Sequence, residues 1–242
     1  MCFPELGRDF FLEGYSRGRR GRFAKPLGCY SREGSNPSPS AQLRYLYPMK
    51  QSLFMLFVLL SLNTFAQLRD SLWYTTPYFK IAYSEILEQP RYVEYSVACP
   101  NGTASRSGMD FYVEKGIKTS DHKDYEYNEW DKGHMAPAAD FNCTKDMLWE
   151  TFTYMNCALQ HQSLNRGVWK YLEARERELA KQYPTVKIKI RVVFDKKPVK
   201  VVGGASIPKG FYKEISYGNI REIYYFPNTT PESKDFNFYR VN

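Results

Sequence analysis

The sequence predicts a mixed α+β domain, and three observations predict it. Segments that alternate apolar and polar residues stand before and after one long helical pattern, which is the α+β arrangement. Aromatic residues make up 17% of the 242-residue chain and twenty are tyrosine, which suits half-buried strands better than a helical bundle. Hydrophobic residues reach 43% against 25% charged, enough for a packed core and contrary to disorder along the whole chain.

Two segments precede that domain. Residues 1–48 are rich in Arg, Gly, Ser and Pro and hold no sustained period. They read either as an over-extended reading frame, with Met49 the true start, or as a disordered basic tail, and lie outside the fold in both cases. Residues 49–66, "MKQSLFMLFVLLSLNTFA", open with Met49 and Lys50, continue as a nearly unbroken apolar run from Leu53 to Leu62, and end in Thr64, Phe65 and Ala66. This is the pattern of a secretory signal peptide, too short for a membrane span of about 20 apolar residues. An uncleaved anchor is the rival reading. The expected location is secreted or periplasmic, with no stable membrane insertion after cleavage. Residues 67–242 then form one domain.

The formal charge of +8 is uneven: residues 1–66 carry nine basic and four acidic side chains, so the domain itself is only mildly basic. Bulk charge therefore permits phosphate contacts without arguing for them. Export would allow disulfides. The domain holds Cys99, Cys143 and Cys157, an odd number, so at most one internal bridge can form. The spacing does not choose the pair, and three buried thiols are an equal alternative.

Within the domain, "YFKIAYSEILEQPRYVEYSVAC" predicts two strands with a turn at Glu88 to Arg91, because Tyr92, Glu94 and Ser96 alternate with Val93, Tyr95 and Val97. Residues 104–130 are polar and aperiodic, a long loop of the kind that usually carries function. A short helix is expected within 144–155. "LNRGVWKYLEARERELAKQ" predicts the long helix, with Val168, Leu172 and Leu179 on its buried side and Pro184 beyond its end. "VKIKIRVVF", "VKVVGGASIP" and "REIYYFPN" predict three further strands.

The chemistry centres on "NEWDKGHMAPAADF", residues 128–141. His134 has an ordinary pKa near neutrality and can accept a proton at physiological pH. Asp131 and Lys132 lie just before it, and Gly133 allows close backbone approach. Alone, this quartet is weak. Asn156, Gln160 and Asn165 follow at intervals of four and five, and Glu173 and Arg177 come eight and twelve residues after Asn165. At 100° per residue, Glu173 lies within about 80° of Asn165. The Asn165 amide oxygen and the Glu173 carboxylate could then flank a hard cation, with Arg177 reaching a phosphate on the same side. His161 reads as a surface or capping residue, His122 as solvated, Trp169 as core, and "EARERELAK" as mostly a solvated face apart from Arg177.

"DKGHMAP", then "MNCALQHQSLNRGVWKYLE", then "ARER" resemble the DNA/RNA non-specific endonucleases of the ββα-metal (His-Me finger) class, the family that includes endonuclease G. The likeness is dense from Trp130 to Ala180 and extends from Phe79 to Phe226. It implies a ββα-metal core with a mixed or antiparallel sheet and a long metal-site helix. It implies a Mg²⁺-dependent (Mn²⁺ as alternative ion), sugar-non-specific endonuclease acting on DNA and RNA and leaving 5′-phosphate ends, and with the signal-peptide pattern at 49–66 an exported one. By the same resemblance His134 is the general base, Asn165 the metal ligand, and Glu173 the holder of a metal-bound water. Arg177 stabilises phosphate charge, and Asn156 and Gln160 orient the site. Asp131 reads equally as an orienting or a chemical residue. The family usually has Arg where this chain has Lys132, which exchanges a bidentate fork for a point charge. Arg106 aligns loosely with an upstream phosphate-binding Arg. The sequence stops at "FYRVN", where longer relatives continue, so a short subtype or a truncated chain is expected. A catalytically weak nucleic-acid-binding relative is the alternative function.

Overall fold

The computed structural model describes residues 67–241. The expected extension (1–48) and signal peptide (49–66) lie outside the described residues. Nine strands and three short or long helices follow in chain order: β1 (Leu72–Thr75), β2 (Phe79–Ser84), β3 (Gln89–Ser96), β4 (Trp130–His134), α1 (Lys145–Glu150), β5 (Cys157–His161), α2 (Gln162–Leu164), α3 (Lys170–Gln182), β6 (Val186–Val193), β7 (Gly210–Tyr217), β8 (Ile220–Pro227) and β9 (Arg240–Val241). Seven strands form one sheet in the order β1-β2-β3-β6-β7-β8-β9, and β4 and β5 form a separate hairpin. Every strand pairing is antiparallel, so the mixed-or-antiparallel expectation resolves to antiparallel.

Alternation builds the sheet. In β6, Val186, Ile188, Ile190 and Val192 are buried while Lys187, Lys189 and Arg191 face out. The inward side packs on Trp169, Leu172 and Leu179, as the helical period predicts. Trp169 is fully buried, with its ring 5.5 Å from both Phe211 and Phe226. Burying aromatics of this size dominates the energetics of such a core.

Four expectations need correction. The β2–β3 turn precedes Gln89 instead of spanning Glu88 to Arg91. Glu88 takes φ 56°, and Pro90 is tolerated in the strand because a bulge in the β2–β3 register lies beside it. "VKVVGGASIP" is not a strand: it is a loop with one bridge, Lys200 to Ser206, held where Ala205 N–H donates to Asp124 Oδ1 at 2.9 Å. The strand lies next door at Gly210–Tyr217, hidden from a pattern search because Lys213 occupies an inward position. The face of "EARERELAK" is not mostly solvated. Glu176 is fully buried, its Oε1 2.8 Å from the equally buried Lys213 Nζ, and Tyr95 Oη donates to its Oε2 at 2.8 Å. Finally, Asn165–Trp169 is a π-helical segment kinked at Gly167, so 100° per residue does not hold between Asn165 and Glu173.

Among the described residues, Cys99 and Cys143 form a bridge across 44 residues, and Cys157 is a buried free thiol. Among the described residues no helix is long and apolar enough to cross a membrane.

Candidate active site

The β4–β5 hairpin distributes the quartet by strand alternation. His134 pairs with Cys157, Lys132 with Leu159 and Asp131 with Gln160. Asp131 and Lys132 therefore leave the strand on opposite faces. Gly133 is required here, because a Cβ on it would lie 2.6 Å from Gln160 Cβ.

On one face, Asp131 anchors the entry to the helix. Asn165 Nδ2 donates to Asp131 Oδ2 at 2.9 Å, and Arg166 donates through Nε at 2.8 Å and through Nη2 to Oδ1 at 2.6 Å. Burial opposes ionisation of Asp131, but these bonds outweigh it and hold its carboxyl below the ordinary range. An ionised carboxylate only accepts, so it turns the Asn165 amide with NH₂ inward, and Oδ1, a hard oxygen donor, has no hydrogen bond among the described residues. Arg166 was missed by the sequence argument. Its only signal was adjacency to Asn165.

On the other face, the His134 ring lies 4.7 Å from Phe111 and 5.1 Å from Phe152. Its Nε2 is buried without a partner among the described residues, while the residue as a whole is partly exposed. Burial, and then the Arg106 charge, push its pKa down to about 3, so the imidazole is neutral at pH 7. Lys132 Nζ sits 3.2 Å from Asp110 Oδ1 and 5.5 and 5.4 Å from the Phe111 and Tyr154 ring centroids. Arg106 is exposed on its loop and has no ion pair among the described residues.

Asn156 clamps the chain just after the histidine. Its Oδ1 accepts from Ala136 N–H at 2.8 Å, and its Nδ2 donates to the carbonyls of Ala136 at 2.9 Å and Thr151 at 3.0 Å. Gln160 is fully buried with neither amide atom bonded among the described residues. His161 caps the helix entry, accepting from Ser163 N–H at 3.2 Å, but is buried and not a surface residue. His122 is exposed, as expected.

Glu173 is half-buried. Burial pushes its carboxyl up to about 7, against the pull of Lys213 and Arg177 and with a push from Glu176. Arg177, expected to face phosphate, spends Nη1 on Asp140 Oδ1 at 2.9 Å, which leaves the remaining guanidinium donors for other partners. Asp140 is fully buried, and burial and then the Glu176 charge raise its pKa well above the carboxylate range, with Arg177 opposing. The structure thus joins Asp131 to Asn165, groups Lys132 and His134 around Phe111, and ties Arg177 to a carboxylate that the sequence argument left out.

A hairpin carrying His134, followed by a helix with Asn165 at its entry, on an antiparallel α+β scaffold, is the arrangement of the ββα-metal nuclease fold. The chain belongs to the DNA/RNA non-specific endonuclease family, whose pattern it matches over residues 66–242. It is 30% identical over 111 residues to the mitochondrial nuclease EXOG of Danio rerio, covering 44% of this chain and 32% of that protein. It is 31% identical over 88 residues to mitochondrial endonuclease G of Bos taurus (35% and 29%) and 30% identical over 122 residues to a nuclease of Serratia marcescens (46% and 45%). These matches span less than half of each curated relative. A crystal structure of the EndoG/EndoGI complex superposes with TM-score 0.64 at 25% identity, over 70% of this chain and 80% of that one.

Proposed function

We propose that this protein is an exported, Mg²⁺-dependent endonuclease that hydrolyses DNA and RNA phosphodiester bonds to 5′-phosphate ends without regard to the sugar. The observations that carry the reading are a neutral His134 on the β4–β5 hairpin and, at the entry to the helix that follows, Asn165 with its amide NH₂ held by Asp131.

His134 Nδ1 removes a proton from the attacking water, a role open to it because the ring is neutral at working pH. Packing of the ring against Phe111 and Phe152 holds it in place. Lys132, Arg106 and the free donors of Arg177 face the phosphate charge that grows in the transition state. Glu173 orients water beside Asn165. Asn165 is the residue that would hold the divalent ion, which supplies charge stabilisation at the phosphate and the departing 3′ oxygen. Among the described residues no group of three or more His, Cys, Asp or Glu could hold a metal. One amide oxygen plus water fits Mg²⁺, which keeps much of its hydration shell, and Mn²⁺ could replace it. Asp131, Asn156 and Gln160 orient these groups. Phosphate contacts instead of base edges would give the lack of sequence preference.

The export reading is supported by the apolar segment at 49–66 and by the Cys99–Cys143 bridge, which suits an oxidising compartment. Incubating the protein with plasmid DNA and with RNA, in Mg²⁺ and in EDTA, tests the proposal. Metal-dependent digestion of both supports it, and a folded protein that binds nucleic acid without cutting it supports the weak-binder alternative.

A further inference from the structure

The sheet side facing away from α3 carries a single row that crosses six strands. Trp73, Ala82, Tyr92, Arg191, Tyr212 and Tyr225 are successive register partners from β1 to β8. Their strand neighbours Val93, Ile190, Phe211 and Tyr224 are buried in the core, so the row points outward. Five steps of about 4.8 Å give it a length of about 24 Å. Trp73 is 61% exposed and meets Tyr92 edge-on at 6.2 Å. The Arg191 guanidinium lies 4.4 Å from the Tyr212 ring, and Tyr212 lies 4.7 Å from Tyr225.

The neighbouring row, Lys80–Glu94–Lys189–Glu214, alternates in sign and largely neutralises itself. Positive charge collects instead where the aromatic row meets a depression of about 450 Å³, walled by Arg91, Arg191, Lys196, Phe194 and Tyr212. Arg191 and Lys196 have no ion pair among the described residues. Arg91 pairs with Asp70 at 2.9 Å, but both are about half exposed, and such surface pairs yield readily to another anion. The other carboxylate at the depression, Asp195, is held by Lys209 at 3.0 Å.

We propose that this row is an accessory binding track for single-stranded nucleic acid, separate from the β4–β5 site. Bases stack on Trp73, Tyr92, Tyr212 and Tyr225, and phosphates meet Arg191, Lys196 and Arg91. Flat aromatic faces on an open sheet accept any base, and cations beside them follow the backbone, which is the chemistry of sequence-tolerant single-strand binding. As a substrate track it rests on the nuclease reading, but binding itself does not.

The test uses the full chain carrying His134→Ala, in EDTA, titrated with a labelled oligothymidylate of about 15 nucleotides. Trp73→Ala and Arg191→Glu, both at exposed positions, are compared with the parent by anisotropy, thermal melting and sedimentation. Each substitution is expected to weaken binding at least fivefold. Arg191→Glu is also expected to flatten the salt dependence by about one phosphate contact. In the active chain both should raise KM for long single-stranded DNA while leaving hydrolysis of a small chromogenic phosphodiester unchanged. Unchanged affinity in folded variants overturns the proposal, as does failure of the parent to bind the oligonucleotide. A change in sedimentation without a change in affinity also overturns it, because the row would then join two copies. Loss of binding in variants of a protein that never cuts any diester would sink the nuclease reading and leave the track standing.

Discussion

Asn156 offers the sharpest stability prediction. Asn156→Ala strips partners from three buried backbone groups, the N–H and C=O of Ala136 and the C=O of Thr151. Each stranded group costs about 1–3 kcal/mol, and partial relaxation brings the expected total to about 3–5 kcal/mol. Asn156→Asp keeps the shape and the bond from Ala136 N–H but turns an acceptor toward two carbonyls, so it should cost a similar amount despite being isosteric. Urea unfolding followed by circular dichroism reads the loss as a shifted midpoint at unchanged slope. Met135 N–H also donates to Asn156 C=O at 2.9 Å, so the segment leaving His134 is bound to this residue twice over. A loosened clamp should therefore lower kcat more than it raises KM. A loss below about 1 kcal/mol for both variants would refute the clamp, since it would mean that water satisfies these groups.

Other expectations follow from the same geometry. Glu173 has a folded pKa raised to about 7 from 4.5, so stability falls as pH rises from 4.5 through 7; Glu173→Gln should stabilise the metal-free protein at pH 8 by about 1–2 kcal/mol after solvent screening while removing activity, read by melting and digestion. Replacing both Cys99 and Cys143 with Ser opens a 44-residue link and should cost about 4 kcal/mol, read in urea without reductant. Lys213→Met leaves Glu176 buried beside Tyr95 alone and should cost about 3–5 kcal/mol, whereas adding Glu176→Leu should restore most of it, a pattern that a double-mutant cycle measures.

Much of this was legible in the sequence because spacing and period are local. The helix and its buried Val168, Leu172 and Leu179 follow from side-chain pattern, whereas the β4–β5 hairpin was marked only by its motif residues and not as a pair of strands. What was not legible depends on distant partners. Lys213 is inward only because Glu176 lies opposite it, so β7 lacked an alternating signature. Asp140 ends a short turn that opens after Pro137 and gives no hint of Arg177, 37 residues later. The π segment at Asn165–Trp169 defeats helical arithmetic at the residue whose direction matters most. The choice of Cys99 with Cys143 required β3 and the loop before α1 to be placed side by side.

The most direct test of the account is the turnover of His134→Ala on plasmid DNA in Mg²⁺, measured beside the parent with matched circular dichroism. A general base in this position predicts a loss of about 10²–10⁴-fold with folding intact. Turnover within about tenfold of the parent would contradict the assignment of His134 as the base and move the search to another proton acceptor on the hairpin or helix.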